Sequence, residues 1–361
     1  MNIVKATSRF EDWLARHTGV VKQDLRIKHE GMKSGTFPFL RATYYRWAQV
    51  WLEVCADLDK GPRVLGVGDL HVENFGTWRD VEGRLIWGVN DFDEACNVSF
   101  SNDLVRLAVS AHLAAEAGHL AITHKDICDS ILEGYTSGLE EDGRPFVLSE
   151  HNKWLRDIAQ SELRDPVRYW KKMCQLPTVE EREVSSSAVD ALEHLLPEPH
   201  PGYRIARRVA GLGSLGHARF VALAEWKGGL IAREAKALVP SAAHPLQEKG
   251  PAEIFYQTIL NRAVRCPDPF VRVYGHWIVR RLSPHCSRIE LSALVNAKGV
   301  IRLLSAMGFE TANIHLGTRK ARKAILQHLK KQKAKWLHNS ASQMVKVVRA
   351  DWQEWKRAGK D

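Results

Sequence analysis

Cysteine is scarce: six residues (Cys55, Cys96, Cys128, Cys174, Cys266 and Cys286) are scattered, and no two form a C-x-x-C pair. That spacing argues against a zinc site and against a disulfide framework. The sixteen histidines contain no H-E-x-x-H pattern, which weighs against a zinc hydrolase. No G-x-S-x-G elbow occurs, which weakens a serine hydrolase reading. No apolar run approaches the roughly eighteen residues of a spanning helix. The opening "MNIVKATSRFEDWLARH" has no charged start followed by an apolar core, so a secretory leader is not expected and a reducing cytoplasm is the expected home. Most of the chain also lacks net charge. The formal charge is +10, but residues 317–361 hold 13 Lys plus Arg against 3 Asp plus Glu, leaving 39 of each sign before them. Basic character belongs to the tail and not to the body.

What is present suits a large globular chain. At 361 residues it can bury a sizeable core in two or three lobes. Residues 8–24 read as a helix. A Gly/Ser/Thr loop follows, then a helix from about Phe39 to Leu58. "RVLGVGD" is a short buried strand ending at Asp69, and "RLIWGVND" is a second one, after a turn at Glu82-Gly83 that suggests a hairpin. "SNDLVRLAVSAHLAAEAG" has helical spacing, with Leu104, Leu107, Ala108 and Ala111 on one side. "QLPTVEEREVSSSAVD" is the best linker candidate. From Tyr203 the pattern changes to strand, glycine turn, strand, Gly-Gly hairpin and strand, then a helix at roughly Pro251–Val264, further strands, and helices to the end. The expected layout is a mainly helical region 1–180 holding one hairpin, a β-rich region 200–285 and a helical region 286–361 with a basic tail.

The chemistry concentrates in two short stretches. In "GDLHVENFG", Asp69 and Asn74 stand five apart on a loop leaving a buried strand, and Asp91 ends the next apolar segment in "NDFDEA". One carboxylate can accept or orient a hydroxyl proton. An amide oxygen and a second carboxylate can hold magnesium against triphosphate oxygens, because magnesium favours a few hard oxygen ligands completed by water and phosphate. Phosphoryl transfer needs positioning and charge neutralisation more than covalent help. Alone, D-x-x-x-x-N more often caps a turn. A second apolar strand ending in Asp-Phe-Asp at hairpin distance tips the reading toward function.

These two stretches resemble the catalytic and metal-binding loops of aminoglycoside-phosphotransferase-like kinases. More closely, the chain is similar to a bacterial family of unknown function with kinase-like motifs. That resemblance also covers "MKSGTFPFLRATYYRWA" (32–48), "DLVRLAVSA" (103–111), "AGLGSLGHARFVAL" (210–223) and "REAKALVPSA" (233–242), and spans roughly residues 25–310. It implies Asp69 as catalytic base, Asn74 and Asp91 as metal ligands, Asp93 at a second metal or the substrate, and Asp103 as a brace for the loop. His71, inside the catalytic motif, either shapes the loop through a backbone hydrogen bond or touches substrate. Arg41 either pairs with an acidic loop residue or points into the site.

"GLGSLG" supplies Gly211, Gly213, Ser214 and Gly216. A Rossmann turn would lead straight into a helix. The following "HARFVALAEW" is β-like, which fits a kinase glycine loop lying between two strands over the phosphates. The next strand offers Arg233, at the place where the related family usually has lysine, and Lys236, three residues on and facing the other way on a regular strand. Glu253 is the expected carboxylate partner and Glu234 the alternative. In a standard kinase the glycine loop precedes the catalytic loop. Here it follows, so the expected fold is α+β, protein-kinase-like, two-lobed and circularly permuted, with additional C-terminal helices.

The tail has two readings. "MVKVVRADWQEWKRAG" sets Val345, Val348, Trp352 and Trp355 on one helix face, as in helices packed on the body. Its lysines also suit contact of 318–361 with a polyanion. The expected activity is ATP- and magnesium-dependent transfer of a phosphoryl group, less readily a nucleotidyl group, to an unidentified small-molecule or protein hydroxyl. The rival is a catalytically degenerate module that senses nucleotide or binds a polyanion through the tail, favoured by arginine at the lysine position.

Overall fold

The structure, a computed structural model, describes residues 1–361 except 119, 121, 150, 162–164, 245–252, 285, 287–296 and 360–361. Five helices lead the chain: α1 (Ile3–His17), α2 (Lys22–Lys33), α3 (Thr36–Ala42), α4 (Tyr44–Val54) and α5 (Ala56–Asp59). The loop expected after residue 24 is helix α2, and the single helix expected over 39–58 is broken twice. The breaks fall at Thr43 (φ −127°, ψ 42°), whose hydroxyl donates to Phe39 O at 2.7 Å, and at Cys55 (φ −115°, ψ 28°). A β-branched residue whose side chain bonds back to the helix carbonyls is a physical reason for the first break.

Strands β1 (Arg63–Gly66), β2 (Phe75–Arg79), β3 (Leu85–Val89) and β4 (Cys96–Ser99) follow. Their pairing corrects the expected hairpin. β1 pairs antiparallel with β4, Gly66 opposite Cys96, while β2 pairs with β3 through a turn where Gly83 has φ +74°. The sequence pattern missed β2 because "FGTWR" is short and glycine-containing. This nesting has a consequence. The loop from β1 to β2 and the loop from β3 to β4 leave the same end of the two ladders, and Asn90 N donates to Asn74 O at 2.9 Å between them.

Helix α6 (Phe100–Ala117) is buried on nearly every side, from Phe100 to Ala111. A helix buried on nearly every face, its Asn102, Asp103 and Arg106 included, lies at the centre of a body. Next come α7 (His124–Glu140), β5 (Phe146–Val147) on the edge of the β2–β3 ladder, α8 (Lys153–Ser161), α9 (Pro166–Cys174) and α10 (Ser186–Glu193). The polar stretch read as a linker thus carries α10, which packs Ala188, Ala191 and Leu192 under the following sheet.

That sheet has five antiparallel strands, β6 (Tyr203–Arg207), β7 (Arg219–Trp226), β8 (Gly229–Ala237), β9 (Val271–Tyr274) and β10 (Trp277–Leu282), in the order β6-β7-β8-β10-β9. Between β8 and β9 lies α11 (Tyr256–Arg262); the expected helix start at Pro251 lies outside the described residues. Helices α12 (Ala297–His315), α13 (Arg322–Lys331) and α14 (Trp336–Ala358) complete the chain. α12 lies against α7 with almost no gap: a Cβ at Gly134 would stand 1.8 Å from Ser305 O, and one at Gly308 would stand 2.1 Å from Ile131 O. Glycine at both positions is what lets the two backbones touch. α14 buries Val345, Val348 and Trp355 in the main core, and Arg46 clasps Asp351 at 2.8 Å. Helices and several antiparallel sheets are therefore mixed in one structure, and among the described residues no helix is long and apolar enough to cross a membrane.

Candidate functional site

The β1–β2 loop is held by its own backbone. Gly68 has φ +76°, and a Cβ there would meet Glu94 O at 2.3 Å, so only glycine makes this turn. Fully buried Asp103, at the start of α6, accepts from Val67 N at 2.7 Å through Oδ2 and from Gly68 N at 3.1 Å through Oδ1, and His315 Nε2 lies 3.1 Å from Oδ2. Asp103 thus braces the loop. Beyond Asp69, the turn Val72–Asn74 is a reciprocal cap: His71 N donates to Asn74 Oδ1 at 2.6 Å and Glu73 N donates to His71 Nδ1 at 3.2 Å. His71 shapes this loop through the backbone, one of the two roles open to it, and its ring also borders the cavity. Arg41 pairs with Glu73 at 2.9 Å, so it joins the acidic loop.

Asp69 projects from this frame. Arg106 donates to its Oδ1 through Nε at 2.9 Å. The Arg106 guanidinium is itself sandwiched between the rings of Tyr44 and Trp47, at 5.1 and 4.9 Å. Burial pushes the Asp69 carboxyl up to about 6, against the pull of Arg106. The β3–β4 loop adds Asp91, Asp93 and Glu94. Lys236 Nζ lies 3.6 Å from Asp91 Oδ1 and bonds Asp93 Oδ2 directly. Burial works against charge on Asp91, but Lys236, Arg280 and Arg219 outweigh it and hold its carboxyl low. Asp93 is pushed the other way by burial and by the charge of Asp91. Glu94 Oε2 accepts from Ala242 N at 2.7 Å, and burial raises its carboxyl to about 7.

The facing wall comes from the five-stranded sheet. The glycine loop turns at Gly211 (φ +76°) and Gly216 (φ +104°). Its middle lies against α3 and Asp69: a Cβ at Gly213 would be 2.9 Å from Arg41 O and 3.6 Å from Asp69 Oδ2. Ser214 Oγ accepts from Arg219 Nη2 at 2.6 Å. Lys28, from α2, donates to Gly213 O at 2.9 Å, and burial lowers its ammonium to about 8.

Two expected residues stand elsewhere. Arg233 turns to the opposite face of β8, donating to Leu195 O at 2.7 Å and stacking on Phe270 at 4.9 Å. Glu253 is exposed and precedes α11, so it is not the partner of a strand cation. The reason is strand alternation: Lys236 and Glu234 share the face toward the acidic loops, and Arg233 cannot join them. Glu234, the alternative partner, is fully buried and takes Arg208, Arg219 and Arg280. Burial opposes its charge, yet Arg219, Arg280 and Arg208 hold its carboxyl well below the usual carboxylate range.

The walls enclose a cavity of about 250 Å³, bordered by Asp69, Asn74, Asp91, Gly213, Arg219 and Arg280 among others. Among the described residues no group of three or more His, Cys, Asp or Glu side chains is arranged to hold a metal by itself. The donors present are two carboxylates and one amide, which suits magnesium completed by water and phosphate better than an all-protein cage. Asp93 Oδ1 fits that need: it is buried and has no hydrogen-bond partner. The motifs had not pointed to Lys28, Glu94, Arg106, Arg208, Arg219 and Arg280. Arg106 carried a signal, an arginine among the apolar residues of the helix three residues after Asp103. Arg208 and Arg219 flank the glycine loop. Lys28 and Arg280 carried none.

A family model described as "Uncharacterized protein conserved in bacteria (DUF2252)" matches residues 20–175 and 203–358. The two segments span both walls of the cavity. No curated protein matches the chain, and no solved structure matches it.

Proposed function

The chain belongs to that uncharacterised bacterial family, and we propose that it is a magnesium- and ATP-dependent phosphotransferase acting on a hydroxyl acceptor. One observation carries the reading: Lys236 reaches Asp93 across 143 residues of sequence, and the same closure lays Gly213 beside Asp69. Glycine loop, metal carboxylates and base candidate thereby border one cavity, and the strand lysine is paired with two of those carboxylates. The order of these parts along the chain supports a kinase-like fold in circularly permuted form, with the β-rich lobe after the catalytic lobe. The rival reading leaned on arginine at the lysine position. Lys236 supplies a lysine on the face of the same strand toward the acidic loops, which favours catalysis.

Each residue has a task in this reading. The backbone of 211–216 covers the phosphates. Lys236 pairs with phosphate oxygens when it releases Asp91 and Asp93. Asn74, Asp91 and Asp93 would hold magnesium, which when bound neutralises phosphate charge. Asp69, already ionised at neutral pH with a carboxyl near 6, accepts the acceptor's hydroxyl proton through Oδ2. As that proton leaves, the acceptor oxygen bonds the terminal phosphorus. The bond to the nucleoside diphosphate breaks, and its electron pair departs with that product. Arg106 keeps Oδ1 occupied, so Oδ2 alone faces the acceptor.

Calorimetry with a non-hydrolysable ATP analogue tests the reading. Binding should require magnesium and fall at least tenfold in Asp91→Ala. Asp69→Ala should bind the analogue nearly as wild type and lose turnover. Absence of analogue binding to wild type, or full turnover in Asp69→Ala, would sink it.

A further inference from the structure

The cation cluster around Glu234 exceeds what a strand lysine and a glycine loop require. Arg280 lies directly opposite Glu234 in the β8–β10 ladder and donates to its Oε1 through Nε at 2.8 Å, with Nη2 at 2.7 Å. Arg219, at the start of β7, reaches the same oxygen at 3.2 Å, and Arg208, just past β6, bonds Oε2. Arg219 also donates to Ser214 of the glycine loop, so the cluster and the loop are one construction. All three arginines border the cavity. Three guanidiniums carry about fifteen N–H donors, whereas one carboxylate offers about four acceptor positions. Counted as charge, the described residues bordering the cavity include eight Lys plus Arg against six Asp plus Glu, an excess of two positive charges before any cation enters. The cavity therefore has surplus donors and surplus charge where Asp91 and Asp93 would hold a metal.

We propose that Arg208, Arg219 and Arg280, gathered on Glu234, form a grip for a chain of two or more phosphates, so that phosphate number decides what this cavity holds more than the group attached to it. The inference deepens the phosphotransferase reading and rests on it for the nucleotide. The shared chemistry is a linear polyphosphate, whether it ends in a nucleoside or is free. Guanidiniums suit it because their planar forks engage phosphate oxygens in pairs. Glu234 fixes the three guanidiniums in place, so little side-chain freedom remains to be lost when the anion enters.

The test is calorimetry on the full chain with magnesium, using inorganic tripolyphosphate, the non-hydrolysable ATP analogue and adenosine as probes. Wild type should bind tripolyphosphate. Arg280→Leu and Arg219→Leu should each weaken tripolyphosphate and the analogue at least tenfold and leave adenosine unchanged. Arg280→Lys should recover only part of the loss, because it keeps charge without the fork. Arg208, which lies outside the strands and bonds Glu234 through one nitrogen, gives Arg208→Leu as the variant that folds if the other two do not, checked by thermal melting. Tripolyphosphate that fails to bind wild type, or that binds the folded leucine variants within twofold of wild type, overturns the grip. Tripolyphosphate binding without analogue binding supports the grip and removes the nucleotide reading. Analogue binding untouched by the leucine variants does the reverse.

Discussion

The cavity's two walls carry opposite charge and are built by opposite means. The acidic wall comes from a short contiguous stretch, residues 67–94, and local backbone geometry holds it: a positive-φ glycine, a reciprocal cap and one buried carboxylate that takes two successive amides. The basic wall is assembled from Arg208, Arg219, Lys236 and Arg280, which the register of the sheet and one buried glutamate bring together, with Lys28 of α2 bonded to the glycine loop beside them. Contiguity concentrates control in a few braces. Dispersal spreads it over several partners. The acidic wall should therefore fail as a unit, and the basic wall by degrees.

Asp103→Ala is the harshest way to break that contrast. It removes the acceptor of Val67 N and Gly68 N and leaves His315 and two backbone donors without their partner in a fully buried place. Losing one side of such a buried arrangement costs about 3–5 kcal/mol. Urea denaturation should show the midpoint dropping at an unchanged slope. A cost under about 1 kcal/mol would mean the loop is held some other way.

Glu94→Gln works in the other direction. The Glu94 carboxyl sits at about 7 in the fold against its ordinary 4.5, so the native state prefers the protonated acid. Below pH 4.5 both states hold the proton and wild type should match the variant. Between pH 4.5 and 7 wild type loses stability progressively, and above that it carries a constant deficit. Glutamine keeps an acceptor for Ala242 N and has no charge to desolvate. The variant should be more stable at pH 8 by about 3 kcal/mol, with no gain at pH 4. Equal gains at both pH values would point to packing and not to charge.

A smaller effect should appear in the rate profile of the proposed reaction. With Asp69 near 6, activity should rise with pH through that value. Arg106 pulls the carboxyl down against burial, so Arg106→Leu should move the acidic limb to higher pH by about one unit, a difference of about 1.4 kcal/mol. A limb that stays in place would show that another group limits the rate.

Legibility followed the same division. Asp69, Asn74, Asp91 and Asp93 were readable because their spacing along the chain is also their spacing in space. The glycine loop was readable because β-like residues flank it. Lys236 and Arg233 lie three apart on one strand, and composition alone does not say which faces the acidic loops; the place of Lys236 opposite Arg219 and its contacts with Asp91 and Asp93 settle that Lys236 does. Arg280 and Lys28 were illegible, since nothing near them in sequence mentions phosphate or carboxylate. In the fold, β2 was missed because a short glycine-containing strand has too little periodicity, and the break at Thr43 was missed because a hydroxyl bonding back to its own helix leaves no pattern. The helix face of 345–355 was readable at helical spacing and is buried, with Trp352 at its margin.

The contrast between buried and open charge can be sharpened away from the cavity, where α14 is tied to the body by two ion pairs of different depth. Arg46 and Asp351 are only 12% and 10% exposed, with two N–H donors of the guanidinium on the two carboxylate oxygens at 2.8 and 3.1 Å. Arg349 and Glu116 are 45% and 46% exposed. Water and salt screen the second pair, and holding two long side chains together costs entropy, so Glu116→Gln should cost no more than about 0.5 kcal/mol. That cost should vanish in 1 M salt, where the screening length is about 3 Å. Asp351→Asn leaves Arg46 half-satisfied in a dry place, so its cost should be several times larger and should persist in salt. Urea denaturation of both variants at low and high salt reads the difference directly. Equal salt sensitivity would mean that depth does not govern these pairs, and the large cost expected for removing the buried brace Asp103 would lose its support.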